Sequence, residues 1–296
     1  MTAGPVRAEA TSASSAICGT GPLEILLTND DGYQAPGIRA LYDELRKAGH
    51  HVRLVAPSTN ASGSSSSFTW SAVTIVRDPS DPNVIGVTAT PATAVVLGAT
   101  AFYPADRRPD LIVSGINDGD NTGSLLALSG TIGASLAGTM LLDPPIPGIA
   151  VNAARAGTAH ARAALPLDQG QQMARHLTYL VAGLRGWFCD GGHLTRGTAA
   201  LNVNYPARPV SAVRGVRAAR QGRTTDLHLV FESSGPDAYA SRTVTPPPTA
   251  DYADSDVTLL AEGYVTVTPI SAVLGAQDAS LADLAKRIDA VAARAP

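Results

Sequence analysis

Two adjacent carboxylates, Asp30 and Asp31, end an apolar run and are followed at once by a glycine, in the order Thr28-Asn29-Asp30-Asp31-Gly32. Like charges this close repel unless a cation sits near them, and hard cations such as Mg²⁺ or Mn²⁺ prefer carboxylate oxygen. The pair is therefore a candidate for divalent-metal ligation. The competing reading is a solvated turn, since these are all common turn residues. Three further polar stretches have suitable chemistry. Pro57-Ser58-Thr59-Asn60-Ala61-Ser62-Gly63 offers hydroxyl oxygens and backbone N–H groups. Gly115-Ile116-Asn117-Asp118-Gly119-Asp120-Asn121-Thr122-Gly123 carries three glycines in nine residues, which lets backbone approach a ligand closely. There Asn117 can give a carbonyl oxygen to a metal and Asn121 an amide to a phosphate. Ser129-Gly130-Thr131 opens a helical pattern, and hydroxyls beside the free N–H groups of a helix start form a phosphate cradle. An ordinary helix cap is the commoner use of such residues.

The elements that would position these loops alternate between strand and helix. Residues 23–28 (LEILLT) form a short apolar run of the kind buried in a parallel sheet. Pro36-Gly37 opens a helix with Ile38, Leu41, Leu45 and Ala48 at helical spacing, and Gly49 stops it. Residues 52–56 (VRLVA) read as the second strand, completing a βαβ unit with parallel pairing. The spacing goes on to predict a helix over 93–103, a strand over 110–114 and a helix over 129–142. A strand over 148–152, a helix over 173–184 and a strand over 199–205 follow. Ligands in open parallel sheets bind beyond the carboxyl ends of strands. All four polar stretches fall there, so they converge on one site for an anion and a metal. From 214 to 266 short β-like runs alternate with Pro-rich turns, which predicts a projecting antiparallel extension. It has too little packing of its own and is expected to pair with a second subunit. Arg220 and Arg223 could reach an anionic substrate from it, although exposed, salt-bridged arginines are the plainer reading. A helix over 280–293 ends the chain. The domain reading is a disordered segment over 1–22, a catalytic core over 23–210, and an extension with the C-terminal segment over 211–296.

Composition narrows the function classes. The 296 residues are 45% hydrophobic and 16% charged, enough for a packed core. The net charge of −3, without any Lys/Arg run, argues against a nucleic-acid polymer as partner. No run of about 18 apolar residues predicts a membrane span. The P-loop, the G-x-G-x-x-G fingerprint and the G-x-S-x-G elbow are all absent. The first 22 residues do not form a signal peptide as written, and fit either a disordered cytoplasmic start or the mature end of an exported protein. The two cysteines, Cys18 and Cys189, are either one disulfide in an oxidising compartment or two unrelated thiols.

The stretches ILLTNDDGYQAPGI, VAPSTNASG, LIVSGINDGDNTG and SGTIGA, in this order, resemble the SurE family of survival-protein nucleotidases and acid phosphatases. The resemblance covers roughly 23–152, with echoes at 201–206 (LNVNYP) and 262–269 (EGYVTVTP). It implies an α/β, Rossmann-like three-layer core with a mostly parallel sheet, and a projecting antiparallel extension and C-terminal helix used in oligomerisation as a homodimer or homotetramer. It also implies hydrolysis of nucleoside monophosphates or related phosphomonoesters with one divalent ion, Mg or Mn, with Ca or Zn as further candidates. The family's metal ligands map onto Asp30, Asp31, Ser62 and Asn117, and its phosphate-side residues onto Asn121, Ser129, Gly130 and Thr131. Asn29, Gly63 and Asn117 are also implied on the phosphate side, with Asn29 supporting the ligand loop. Asp30, Asp31 and Asn121 are the catalytic candidates. Similarity to exported members implies export and a Cys18–Cys189 bridge, with a cytoplasmic location as the alternative. The chain departs from the family at Thr93, where an acidic residue is usual, at Asp118 and Asp120, and at Leu128. These changes leave two alternatives open: a phosphatase for a sugar phosphate or a secondary-metabolite phosphate, and a non-catalytic anion-binding protein.

Overall fold

The computed structural model describes residues 15–104, 106–155, 167–190, 193–194, 199–225, 228–244 and 250–272. The helix expected over 280–293 and most of the N-terminal segment lie outside these. In chain order the elements are α1 (Ser15–Cys18), β1 (Glu24–Thr28), α2 (Pro36–Lys47), β2 (His51–Pro57), β3 (Ile75–Arg77), β4 (Val84–Val87), α3 (Pro91–Ala101) and β5 (Leu111–Asp118). Next come α4 (Gly130–Leu141), β6 (Gly148–Ala153), α5 (Leu167–Leu184), β7 (Cys189–Asp190), β8 (His193–Leu194) and β9 (Ala199–Tyr205). The last are β10 (Val216–Ala218), β11 (His228–Gly235), β12 (Ala238–Val244), α6 (Asp256–Glu262) and β13 (Val265–Ser271).

One nine-stranded sheet runs β10-β13-β9-β6-β5-β1-β2-β4-β3. Its central strands are parallel, with β13 antiparallel to β9 and β3 antiparallel to β4. The chain is thus α/β, as the strand–helix alternation predicts. Period-two alternation in β1 explains the layering. Ile25 and Leu27 pack with Ile38, Leu41 and Leu45 of α2 and Met173, Leu177 and Val181 of α5. Leu26, between them, joins Val95 of α3 and Ala134 and Ala137 of α4 on the other face. Helix α2 buries Ile38, Leu41, Tyr42 and Leu45 at positions i, i+3, i+4 and i+7. Helix α4 instead buries every residue from Gly130 to Gly138. It sits deep between the sheet, α3 and the loop that follows β2.

Three expectations need correction. Strand β5 does not stop at Ser114 but continues through Gly115-Ile116-Asn117-Asp118, with a register irregularity between Ser114 and Asn117. Part of the glycine-rich stretch is therefore strand. The region after 211 is not all projection: β10 and β13 join the main sheet, and only the β11–β12 hairpin forms a separate two-stranded sheet. The short polar segments between them hide this, because a strand completed by neighbours far along the chain needs no strong local pattern. Residues 15–22, expected to be disordered, include α1, whose Ile17 is buried.

Two devices fix α1. The Arg185 guanidinium donates to the carbonyls of Ile17 (2.8 Å), Gly21 (2.7 Å) and Ala16. Cys18 and Cys189 form a disulfide across 171 residues of chain. Closing so long a loop restricts the unfolded chain, an effect typically of about 2–4 kcal/mol. Cys18→Ser, or reduction of the wild type, should lower the urea unfolding midpoint by a matching amount, and the two treatments combined should lower it no further.

Candidate active site at the carboxyl edge of the sheet

In the sheet order, β2 and β5 flank β1 on opposite sides, so the chain changes winding direction at β1. Ligand crevices of open α/β sheets lie at such switch points. Asp30 leaves the end of β1 almost completely buried, at 3% exposure. Its Oδ1 accepts the Thr131 hydroxyl at 2.5 Å, and its carbonyl accepts the Ala61 N–H at 2.7 Å. Asn29 closes the turn beneath it, donating from Nδ2 to the Gly32 carbonyl (3.0 Å) and accepting the Gly32 N–H (3.2 Å). Helix α4 starts directly against this carboxylate. A Cβ at Gly130 would lie 2.9 Å from Asp30 Oδ2 and 2.5 Å from Ser64 Oγ, so only glycine fits. The Ser64 hydroxyl is buried and has no hydrogen-bond partner among the described residues.

Asp31 sits at the mouth of the same turn and accepts the Asp118 N–H at 3.0 Å. Burial pushes its pKa up to about 6, helped by the charges of Asp30 and Asp118 and opposed by that hydrogen bond and by Arg155. Asp118 in turn holds the Arg155 guanidinium in a two-pronged ion pair. Asp31, Asn60, Asn117, Asp118 and Arg155 line a cleft of about 660 Å³ that extends along α2. Asn117 donates its Nδ2 to the Gly119 carbonyl at 2.8 Å, a bond that does not use its Oδ1. Ser62 is exposed on its loop, its N–H held by Asn60 Oδ1 at 3.0 Å, and Gly63 beside it adopts a positive φ of 79°. That loop is tied to the start of α4 through Ser65, which donates from N to the Leu128 carbonyl (3.1 Å) and from Oγ to the Ala127 carbonyl (2.7 Å).

On the phosphate side, Ser129 is the N-cap of α4 and accepts the Ile132 N–H at 3.2 Å. The first N–H groups of a helix have no intrahelical acceptor, so Gly130 and Thr131 present donors beside Asp30. Asn121 is buried, and it is held by three asparagines that the sequence reading passed over: Asn152, Asn202 and Asn204. A signal existed. Asn202 and Asn204 alternate with Leu201, Val203 and Tyr205, which places two amides on one face of a fully buried strand. Thr93, where the family resemblance has an acidic residue, accepts the Thr69 N–H at 2.8 Å and pairs with the Thr90 hydroxyl at 2.9 Å. It anchors the serine-rich loop to α3.

The root of the hairpin also reaches the glycine loop. One oxygen of the buried Asp256 carboxylate accepts the N–H groups of Gly123 (3.1 Å), Gly222 (2.8 Å) and Val257 (2.9 Å). A Cβ at Gly123 would lie 1.9 Å from the Thr224 carbonyl. Burial pushes the Asp256 carboxyl up, and those N–H groups oppose it. Burial also acts upward on nearby Asp251, but the hydroxyl and N–H of Thr224 and the N–H groups of Tyr252 and Arg223 hold it down at about 2.

The donor set suits a hard divalent cation. Among the described residues no three His, Cys, Asp or Glu side chains cluster; the neutral amides of Asn60 and Asn117 line the cleft with Asp31. Oxygen-only donors and a desolvated like-charge pair match Mg²⁺ or Mn²⁺ chemistry rather than a thiolate or imidazole site.

The family model described as "Survival protein SurE" matches residues 25–227. The chain belongs to the SurE family. It is 36% identical to "5'-nucleotidase SurE 1" of Burkholderia lata over 258 residues, covering 85% of this chain and 92% of that protein. It is 34% identical to "5'/3'-nucleotidase SurE" of Yersinia enterocolitica over 272 residues, covering 88% and 100%. The crystal structure of SurE from Aquifex aeolicus superposes with a TM-score of 0.69 at 28% identity, covering 90% of this chain and 99% of that one.

A carboxyl whose folded pKa lies above its unfolded value stabilises the fold below the unfolded value and loses that contribution as pH rises through the folded one. For metal-free protein, the unfolding midpoint of wild type relative to Asp31→Asn should therefore fall as pH rises from 3.8 through about 6. Thermal denaturation of both variants across this range measures it; a constant difference would contradict the raised pKa.

Proposed function

We propose that the chain is a divalent-metal-dependent phosphomonoesterase acting on nucleoside monophosphates. The observation that carries the reading is a buried carboxylate, Asp30, set against the N-terminus of α4, with Asp31 beside it. Acidic side chains suit a cation and helix N–H groups suit an anion. A site holding both is matched to a phosphate bridging them. The names of the relatives support the same reaction class.

Asp30, Asp31, Asn117 and Ser62 would hold the cation; of these, Ser62 would have to turn inward from its exposed loop. A bound divalent ion supplies Lewis acidity toward a phosphate oxygen and makes a bound water more acidic. The protein's own groups do the remainder. Thr131 fixes the rotamer of Asp30 through its 2.5 Å hydrogen bond, and the Asp118 N–H fixes Asp31. The first N–H groups of α4, the Ser129 hydroxyl and the free Asn121 amide N–H would serve the equatorial oxygens, where charge must be stabilised. The Asp118–Arg155 pair favours a second reading, a sugar phosphate or other phosphomonoester, because it adds a charged pair to the cleft that Asp31 lines. The Cys18–Cys189 bridge supports work in an oxidising compartment after export. No helix of the described residues is long and apolar enough to cross a membrane.

The hairpin bears on assembly. Leu229, Phe231 and Tyr239 are 56%, 68% and 70% exposed, a concentration of apolar surface that a second copy would cover. Phe231→Asp should lower the oligomeric mass in size-exclusion chromatography with light scattering; an unchanged mass would exclude the hairpin as the contact.

Removing a ligand should exceed the roughly 10–100-fold loss typical of an outer-shell partner. Asp30→Ala is therefore expected to lose at least about a hundredfold in phosphate release, with its circular dichroism unchanged. The assay is a panel of nucleoside and sugar monophosphates with chelator, Mg²⁺ or Mn²⁺. Metal-independent release, or full activity in Asp30→Ala, would remove the assignment, and the substrate ranking separates the two readings.

A further inference from the structure

Around Asn121 every hydrogen-bonding group but part of its own side chain is engaged. Its N–H donates to Asn204 Oδ1 at 2.8 Å. Its carbonyl accepts Asn202 Nδ2 at 2.8 Å and Asn204 Nδ2 at 3.0 Å. Its Nδ2 donates to Asn152 Oδ1 at 2.7 Å. Asn152 Nδ2 then donates both to Asn202 Oδ1 (2.7 Å) and to the Val203 carbonyl (2.9 Å). Asn152, Asn202 and Asn204 have no exposed surface.

An amide side chain can present either its oxygen or its nitrogen to a neighbour, so an isolated asparagine carries no fixed polarity. This network removes the choice. The Val203 carbonyl is main chain and can only accept. Asn152 must therefore point Nδ2 toward β9 and Oδ1 toward Asn121. Were Asn121 turned over, its Oδ1 would face Oδ1 of the fully buried Asn152, leaving two acceptors opposed. We infer that Asn152 is a positioning residue: it holds one Nδ2 hydrogen of Asn121 on its own Oδ1 and so leaves the other Nδ2–H as the donor that Asn121 offers to the phosphate. The fixed polarity passes from the Val203 carbonyl through Asn152 to Asn121, while Asn202 and Asn204 hold the Asn121 backbone in place. The inference rests on the reading of Asn121 as a phosphate-side residue, and it assigns to β6 and β9 a part in the reaction that the polar loops alone do not suggest.

The test uses the full-length protein with Mg²⁺ or Mn²⁺ and the phosphomonoester that it cleaves best. Asn152→Ala and the volume-filling Asn152→Leu are compared with Asn121→Ala and with the double variant Asn121→Ala/Asn152→Ala. A residue acting only through Asn121 has no further effect once Asn121 is gone. Asn152→Ala should lower kcat/KM by about ten- to a hundredfold, the scale of a lost hydrogen bond to a charged group. Metal affinity should stay within about twofold of wild type, and the double variant should match Asn121→Ala. Independently of activity, one side-chain amide proton of Asn121 should exchange slowly in the wild type by NMR, which holds even if the Asn152 variants fold poorly. Impaired Asn121→Ala with an unimpaired Asn152→Ala or Asn152→Leu would overturn the inference alone. So would losses that multiply in the double variant, or fast exchange of both Asn121 amide protons. An unimpaired Asn121→Ala would overturn the reading of Asn121, and this inference with it.

Discussion

Two carboxylates on consecutive residues, one of them nearly sealed from water, create a repulsion that the surrounding structure must contain. Removing a carboxylate from water is unfavourable unless hydrogen bonds or an opposite charge replace the lost hydration. The protein supplies one hydrogen bond to each carboxylate. Thr131 serves Asp30, the Asp118 N–H serves Asp31, and Asn29 closes the turn that presents both. Among the described residues the cation that acts on Asp31 is Arg155, and it is already bound to Asp118. The raised pKa of Asp31 records that imbalance, and a divalent ion is the natural means of correcting it.

Much else in the fold follows from bringing α4 against that pair. The helix can be so close only because residue 130 has no side chain and because the serine-rich loop closes over its first turn through Ser65. That loop is in turn fastened to α3 by Thr69, Thr90 and Thr93. Thr93 thus anchors the loop as an uncharged hydrogen-bonding group. On the other side of the crevice, the asparagine network holds the glycine loop against β6 and β9.

The parallel core was legible because its signals are local. Apolar runs such as EILLT and VRLVA, and the helical stripe of α2, report burial within a few residues of sequence. The loop residues were legible because Asp30, Asp31, Asn117 and Asn121 are unusual at strand ends, and the structure brings them to one edge. What local patterns could not reveal was long-range. Strands β10 and β13 belong to the sheet only through partners far away in the chain, and β10 is only three residues long. Asn152, Asn202 and Asn204 look like ordinary polar breaks in strands until register places Asn152 opposite Asn204 and Ala150 opposite Asn202. Ser62 shows the converse limit: its place in a motif is clear, yet the residue is exposed on its loop.

The shared oxygen of Asp256 divides the extension into a fixed base and a free arm. Gly222, Val257 and the site's own Gly123 converge on one atom, so a substitution at any of them is felt within the glycine loop. The β11–β12 ribbon beyond this knot makes its strand-to-strand hydrogen bonds with itself. For protein engineering this marks a seam. The ribbon between 228 and 244, the proposed contact with a second copy, is the part to exchange when assembly is to be altered, while residues 222–224 and 251–257 must be carried over intact with the catalytic body.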